Sequence, residues 1–181
     1  IFDPDFLKTV WYSAARILGG FFTALTLGTV LGWVASRFWV VETLLRPITA
    51  VIKATPVASF IILVLLWFSG KNLSVIISML MVFPVIYMNV LEGIRSADEK
   101  LLEMAQVFRL SVGKKLLYIY LPAVAPFFVS ACSVSLGLCW KSGIAAEVIG
   151  TPNGSIGAVF YQAKIFLQTS ELLAWTVVVV A

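Results

Sequence analysis

The chain of 181 residues is 61% hydrophobic and 12% charged, with a mean hydropathy of +1.02, a composition that places it among membrane proteins and excludes an ordinary soluble domain. It contains no histidine, which disfavours the commonest acid–base group at neutral pH and the commonest imidazole metal site. The formal charge of +4 comes from basic residues dispersed among apolar runs, so it reads as positive loops beside a membrane and not as a nucleic-acid surface.

The first long apolar run covers residues 11–39, more than the ~20 residues needed to cross a bilayer, with Arg16 near one end and Arg37 near the other. Gly28 and Gly32, four apart, mark a stripe where a second helix can approach closely. Residues 40–56 connect to the next helix through Arg46-Pro47 and Lys53-Ala-Thr-Pro56. A second span over residues 47–68 is long enough if Lys53 extends its stem toward the headgroups, with Pro56 bending or starting the helix. The third span is expected at residues 73–91, kinked at Pro84. A polar segment follows at 92–120, then a fourth span at 121–146 and a fifth from about residue 172.

Cys132 and Cys139 lie on the fourth span, too far apart along one helix to bond each other, and read as packing residues. The 13 Phe, 6 Trp and 5 Tyr suit a lipid-facing surface with interfacial anchors. The fold class is therefore all-α and polytopic, with about five transmembrane helices. The chain lacks a starting Met and ends inside an apolar run, so residues 1–181 read as one transmembrane domain cut from a longer polypeptide. Placing 92–120 in the cytoplasm puts Arg37, Arg46, Lys53, Arg95, Lys100, Arg109, Lys114 and Lys115 on that side, the bias the positive-inside rule requires.

The segment 92–120 keeps helical periodicity. Ser96 and Glu99 form a capping box ahead of a short helix, whose apolar face is Leu101, Leu102, Ala105 and Phe108. Ser111 caps a second short helix that includes Leu116, Leu117 and Tyr120. Two such amphipathic helices either lie on the membrane surface or present a docking surface, since short isolated helices are marginal in water.

Spacing separates these readings. Glu103-x-Ala105, three residues, position 109, nine residues, then Ile119-x-Leu121-Pro122 resembles the EAA loop of ABC importer permeases, the membrane subunits of binding-protein-dependent uptake systems. "LRPITAVIKATPVASFIILVLLWFSG", "EGIRSADEKLLEMA" and "GLCWKSGIAAEVIG" are similar to the flanking segments of the family, especially its nitrate, sulfonate and taurine branch. The resemblance implies a type I ABC importer permease fold in a bacterial or archaeal cytoplasmic (inner) membrane, with the loop forming coupling helices that sit in a groove of a cytoplasmic ATPase. On that basis Glu103, Met104, Ala105, Arg109, Leu121 and Pro122 are the coupling residues. Glu103 would meet a basic residue of the ATPase, and Ala105 would allow close approach. Met104 stands where the family has Ala, and Arg109 where it has Gly. A left-handed turn at Arg109 costs roughly 1–2 kcal/mol, so either the turn differs or the partner compensates.

The chain has no phosphate-cradling motif. "FSGKNLS" holds a Gly-Lys without the preceding Gly-x-x-x-x. No cofactor is expected in the chain, and it is not read as an enzyme. The resemblance places ATP and Mg on two copies of a separate ATP-binding subunit. It also implies a second permease subunit, most simply a homodimer, and an extracytoplasmic solute-binding protein that delivers a small-molecule substrate. Arg16, Trp140, Lys141 and Glu147 are the candidate pathway or gate residues, because charges within spans are expensive unless paired or hydrated. Lys141 and Glu147 either snorkel, balance each other or line the path. A basic path would favour an anion such as a sulfonate or nitrate, while related permeases are similar to ones that carry aromatic vitamin precursors. The rival readings are an ion-coupled secondary transporter or channel and a membrane scaffold that only recruits a cytoplasmic partner.

Overall fold

The computed structural model describes residues 4–180, and the reading of the chain's two extreme ends lies outside them. Among the described residues every regular element is a helix: α1 (Pro4–Arg37), α2 (Trp39–Ala54), α3 (Val57–Trp67), α4 (Gly70–Arg95), α5 (Glu99–Val107), α6 (Val112–Lys115), a π-helical turn (Leu116–Tyr120), α7 (Leu121–Gly150), α8 (Ile156–Ile165) and α9 (Thr169–Val180). Helices are what lipid dictates, since each satisfies its own backbone polar groups.

The core is a three-helix unit of α1, α4 and α7. Along α1, Arg16 meets Ser74, Gly28 meets Ile86 and Gly32 meets Val90. Partners advance together on both helices, so α1 and α4 run parallel. A Cβ on Gly28 would stand 3.0 Å from the Ile86 side chain, and one on Gly32 would stand 3.1 Å from the Tyr87 carbonyl. The small stripe expected from the sequence is thus the seam that lets these two backbones touch. Against α4, α7 runs the other way: Ser78 donates to the Cys139 carbonyl at 3.2 Å, while Gly93 packs on Val124 and Phe127. Ile17, Phe21, Val82, Ile86, Ala131 and Ile144 fill the space between the three.

Parallel α1 and α4 require the chain to return between them, and the bent pair of α2 and α3 makes that return. Pro56 lacks an N–H and holds Thr55 extended, at φ −86° and ψ 134°. The two helices meet at 108°. The expected bend at Pro56 is present, while Pro47 sits inside α2 without starting or ending it, so the apolar stretch begins before residue 47. Among the described residues three helices are long and apolar enough to cross a membrane, or four if the bent pair is one span. The fifth expected span appears as the 12-residue α9, and α8 precedes it. Pro84 lies buried within a continuous α4.

The fourth span also differs from expectation. It begins at Val112, so the second short helix expected after Ser111 is the root of a continuous 39-residue rod to Gly150. Pro122 explains the π turn. A proline inside a helix cannot donate and crowds the carbonyl four residues back. Widening the preceding turn, with the Leu121 N–H reaching the Leu116 carbonyl, lets the helix continue through Leu121-Pro122.

Candidate functional site

The candidate functional residues form two groups at opposite ends of the core. At one end α5 bridges α4 and the α6–α7 rod. Asp98, not Ser96, caps it: the Asp98 side chain accepts from the Lys100 N–H at 2.9 Å. Ser96 instead follows the end of α4 and donates to the Gly93 carbonyl at 2.8 Å. The expected capping box is therefore replaced by an Asp N-cap two residues later.

Arg109 has φ 50°, the left-handed region. The Arg109 N–H bonds the Gln106 carbonyl at 3.0 Å and the Leu110 N–H bonds the Ala105 carbonyl at 2.9 Å. Both bonds of a Schellman ending are present, and Leu110 packs in the cluster with Ala105 as that motif requires. The turn that glycine would make is thus retained with Arg in its place. Arg109→Gly should raise the thermal midpoint of the purified permease by about 2–3 °C, through release of roughly 1 kcal/mol of left-handed strain. A lower midpoint, or loss of assembly, would show that the guanidinium makes a contact of its own.

The remaining candidate coupling residues divide by face. Ala105 is fully buried among Ala97, Leu102, Ile119 and Tyr120. The close helix approach it was expected to allow is between α5 and the root of α7. Phe108, expected on the inner face, is 71% exposed. Glu103 and Met104 face outward with Val107, Phe108 and Val112, flanked by Arg109, Lys114 and Lys115. Leu121 and Pro122 are exposed on the first turn of α7. The result is an apolar patch carrying charges at its edges, held rigidly on the ends of two core helices.

At the opposite end a buried polar cluster joins α1, α4, α7 and α8. Glu147 is 0% exposed, and its carboxyl accepts from the Ser13 hydroxyl at 2.7 Å and from the Gly157 N–H at 3.5 Å. Ser13 in turn accepts from the Ile156 N–H at 2.9 Å, and Ser155 accepts from Ala158 at 3.1 Å. The first three N–H groups of α8 are therefore all capped, two of them by residues from other helices. A Cβ on Gly157 would collide with the Glu147 backbone, so only glycine lets α8 sit this close. Arg16 donates to Ser74 at 3.3 Å and to the Tyr12 hydroxyl at 3.0 Å, with its guanidinium 5.1 Å from the Tyr12 ring centre.

Of the four expected pathway residues, the structure brings Arg16 and Glu147 into one cluster and separates the other two. The Trp140 indole N–H donates to the Val179 carbonyl at 2.9 Å, pinning α9 to α7. Lys141 is exposed, with Ser133 and Gly137 also exposed on α7, and does not balance the buried Glu147. Sequence reasoning missed Ser13, Ser74 and Gly157. Ser13 lies three residues before Arg16 and Ser74 four before Ser78, a helical recurrence of hydroxyls in apolar runs that flags an inward polar face.

Comparison with known proteins accords with this arrangement. Residues 24–181 match the family described as binding-protein-dependent transport system inner membrane component. The chain is 30% identical over 168 residues to SsuC of Bacillus subtilis (strain 168), a permease protein named for aliphatic sulfonates transport, covering 92% of this chain and 60% of that one. It is 27% identical over 176 residues to the taurine transport system permease protein TauC of Escherichia coli (strain K12), covering 94% and 64%. Against SsuC of Escherichia coli (strain K12) it is 35% identical over 136 residues, covering 73% and 50%. The chain thus spans between half and two thirds of the length of these relatives. Since the family match takes in α5, the Schellman turn and the whole α6–α7 rod, the chain belongs to the binding-protein-dependent transport system inner membrane components.

Proposed function

We propose that this chain is the membrane-spanning permease part of an ATP-driven uptake system in a bacterial or archaeal cytoplasmic membrane. The observation that carries the reading is the seating of α5. Ala105 keys the helix into the body while Glu103 and Met104 remain outward, and its two ends continue into α4 and the α6–α7 rod. A force on α5 is thereby delivered to two packed helices at once, as alternating access by rocking of rigid parts demands. ATP and Mg would be held by a separate ATPase present in two copies, seated on this patch. A second permease subunit, most simply an identical one, would complete the path, and a solute-binding protein would deliver substrate on the far side.

Lys141 supports an anionic solute. An exposed ammonium on a spanning helix needs water or a partner, and a path offers the former. The names of the relatives, sulfonates and taurine, fit such a charge, while an aromatic vitamin precursor remains the alternative cargo of the same machinery. The test is uptake into proteoliposomes that hold the full-length permease with its ATPase and binding protein. Accumulation of a radiolabelled sulfonate should require internal ATP and survive ionophores. Uptake that ignores ATP and collapses with the ion gradient would establish a secondary transporter instead.

A further inference from the structure

On the side of the molecule where α5 lies, a cavity of about 70 Å³ opens between α2 and α4, lined by Glu42, Arg46, Thr49, Tyr87, Glu92 and Arg95 with Met88 and Leu91. Tyr87 forms its floor. It is 2% exposed, its ring stacks on Phe83 at 5.9 Å, and its hydroxyl has no hydrogen-bond partner among the described residues. A buried phenol ordinarily finds a partner, so the Tyr87 hydroxyl is a donor suited to a polar group entering the cavity.

Charge identifies the kind of occupant. Glu42 is tied to Arg95 at 2.5 Å. Arg46 is exposed and bonded to no side chain, and Lys53 reaches only the Met88 sulfur at 3.5 Å. Arg46 and Lys53, seven residues apart on one face of α2, share an adjoining cavity of about 430 Å³, and Lys53 and Glu92 share a third. By formal charge the three cations of this groove exceed its two carboxyls by one.

We propose that the cleft binds a singly charged tetrahedral oxyanion, either the phosphodiester of a phospholipid headgroup or a free anion of the same chemistry. Arg46 offers a planar fork of donors, the Tyr87 O–H donates from below, and Lys53 adds charge one step along α2. Trp39, exposed at the start of α2, is of the residue type enriched at headgroup depth, where basic clefts between helices hold anionic headgroups. The site stands or falls independently of the transport reading.

The test uses full-length permease in a non-ionic detergent, read by thermal unfolding and native mass spectrometry. It would be titrated with phosphatidylglycerol against phosphatidylcholine, and with sodium phosphate against chloride at matched ionic strength. Phosphatidylglycerol or phosphate should bind and raise the midpoint. Arg46→Gln and Tyr87→Phe should each weaken that binding about tenfold, the loss of one charge-assisted or buried hydrogen bond, while neither lowers the midpoint without additive. Glu42→Gln frees Arg95 and should tighten it. A response to phosphatidylglycerol alone identifies the headgroup, and a response to phosphate alone identifies a free anion. No response to either, undiminished binding in the Arg46 and Tyr87 variants, or weaker binding in Glu42→Gln would overturn the site.

Discussion

Glu147→Ala should destabilise the permease by about 2–4 kcal/mol, lowering its thermal midpoint in detergent by roughly 5–10 °C. The size of the effect follows from what the carboxyl leaves behind. Its removal strips an acceptor from the Ser13 hydroxyl and from the Gly157 N–H, both buried, and takes from Arg16 the acidic group nearest to it in the cluster. An unsatisfied buried donor costs more than an average hydrogen bond contributes, because water cannot reach it. Glu147→Gln keeps a side-chain oxygen in the same place and should lose less than half as much.

The same carboxyl organises the start of α8, so the loss should be local as well as global. Hydrogen exchange at the Ile156 and Gly157 amides should quicken in Glu147→Ala while the α4 amides beside Ile86 keep their protection. Selective loosening would mark the cluster as the clasp that holds α8 on the core, at the end of the molecule remote from α5. Unchanged exchange and an unchanged midpoint would mean that packing alone holds α8.

Apolar length made the crossing helices legible, and two small residues at the right spacing made the α1–α4 seam legible. What stayed hidden depended on direction. Residues 47–68 are long enough for one span, and nothing in their composition sets the 108° angle that Thr55-Pro56 imposes. The α6–α7 rod was hidden because Ser111 and Lys114-Lys115 resemble the start of a separate surface helix, and a π turn that carries a helix through Leu121-Pro122 leaves no compositional mark. α8 begins behind Pro152, Asn153 and Gly154, residues that read as loop, and two of its caps come from Ser13 and Glu147, distant in sequence. Lys141 and Glu147 could have been separated in advance. A spacing of six does not share a helix face, which is why one is exposed and the other sealed. The candidate coupling residues were picked out by a spacing, yet which of them face outward required the packing of Ala105.

Glu103→Lys should reduce ATPase association, and with it substrate-stimulated ATP hydrolysis and uptake, by roughly ten- to a hundredfold, the scale of losing one charge-assisted contact and replacing it with a repulsion. The variant should leave the permease itself intact. Glu103 is exposed on α5, and its carboxyl makes no bond to the rest of the described chain, so the permease's own midpoint and helicity should match wild type. Glu99→Lys provides the control: it makes the same change in net charge one turn earlier on the same helix. If the two variants fail alike, the partner responds to the field of the whole loop and not to a docked carboxyl. If Glu103→Lys alone uncouples a well-folded permease, the carboxyl sits opposite a specific cation. The apolar surface around Met104, Val107 and Phe108 then supplies area while Glu103 supplies register. If neither variant alters association or turnover, the exposed face of α5 does not transmit force, and the motion of α4 and α7 must be driven from elsewhere in the assembly.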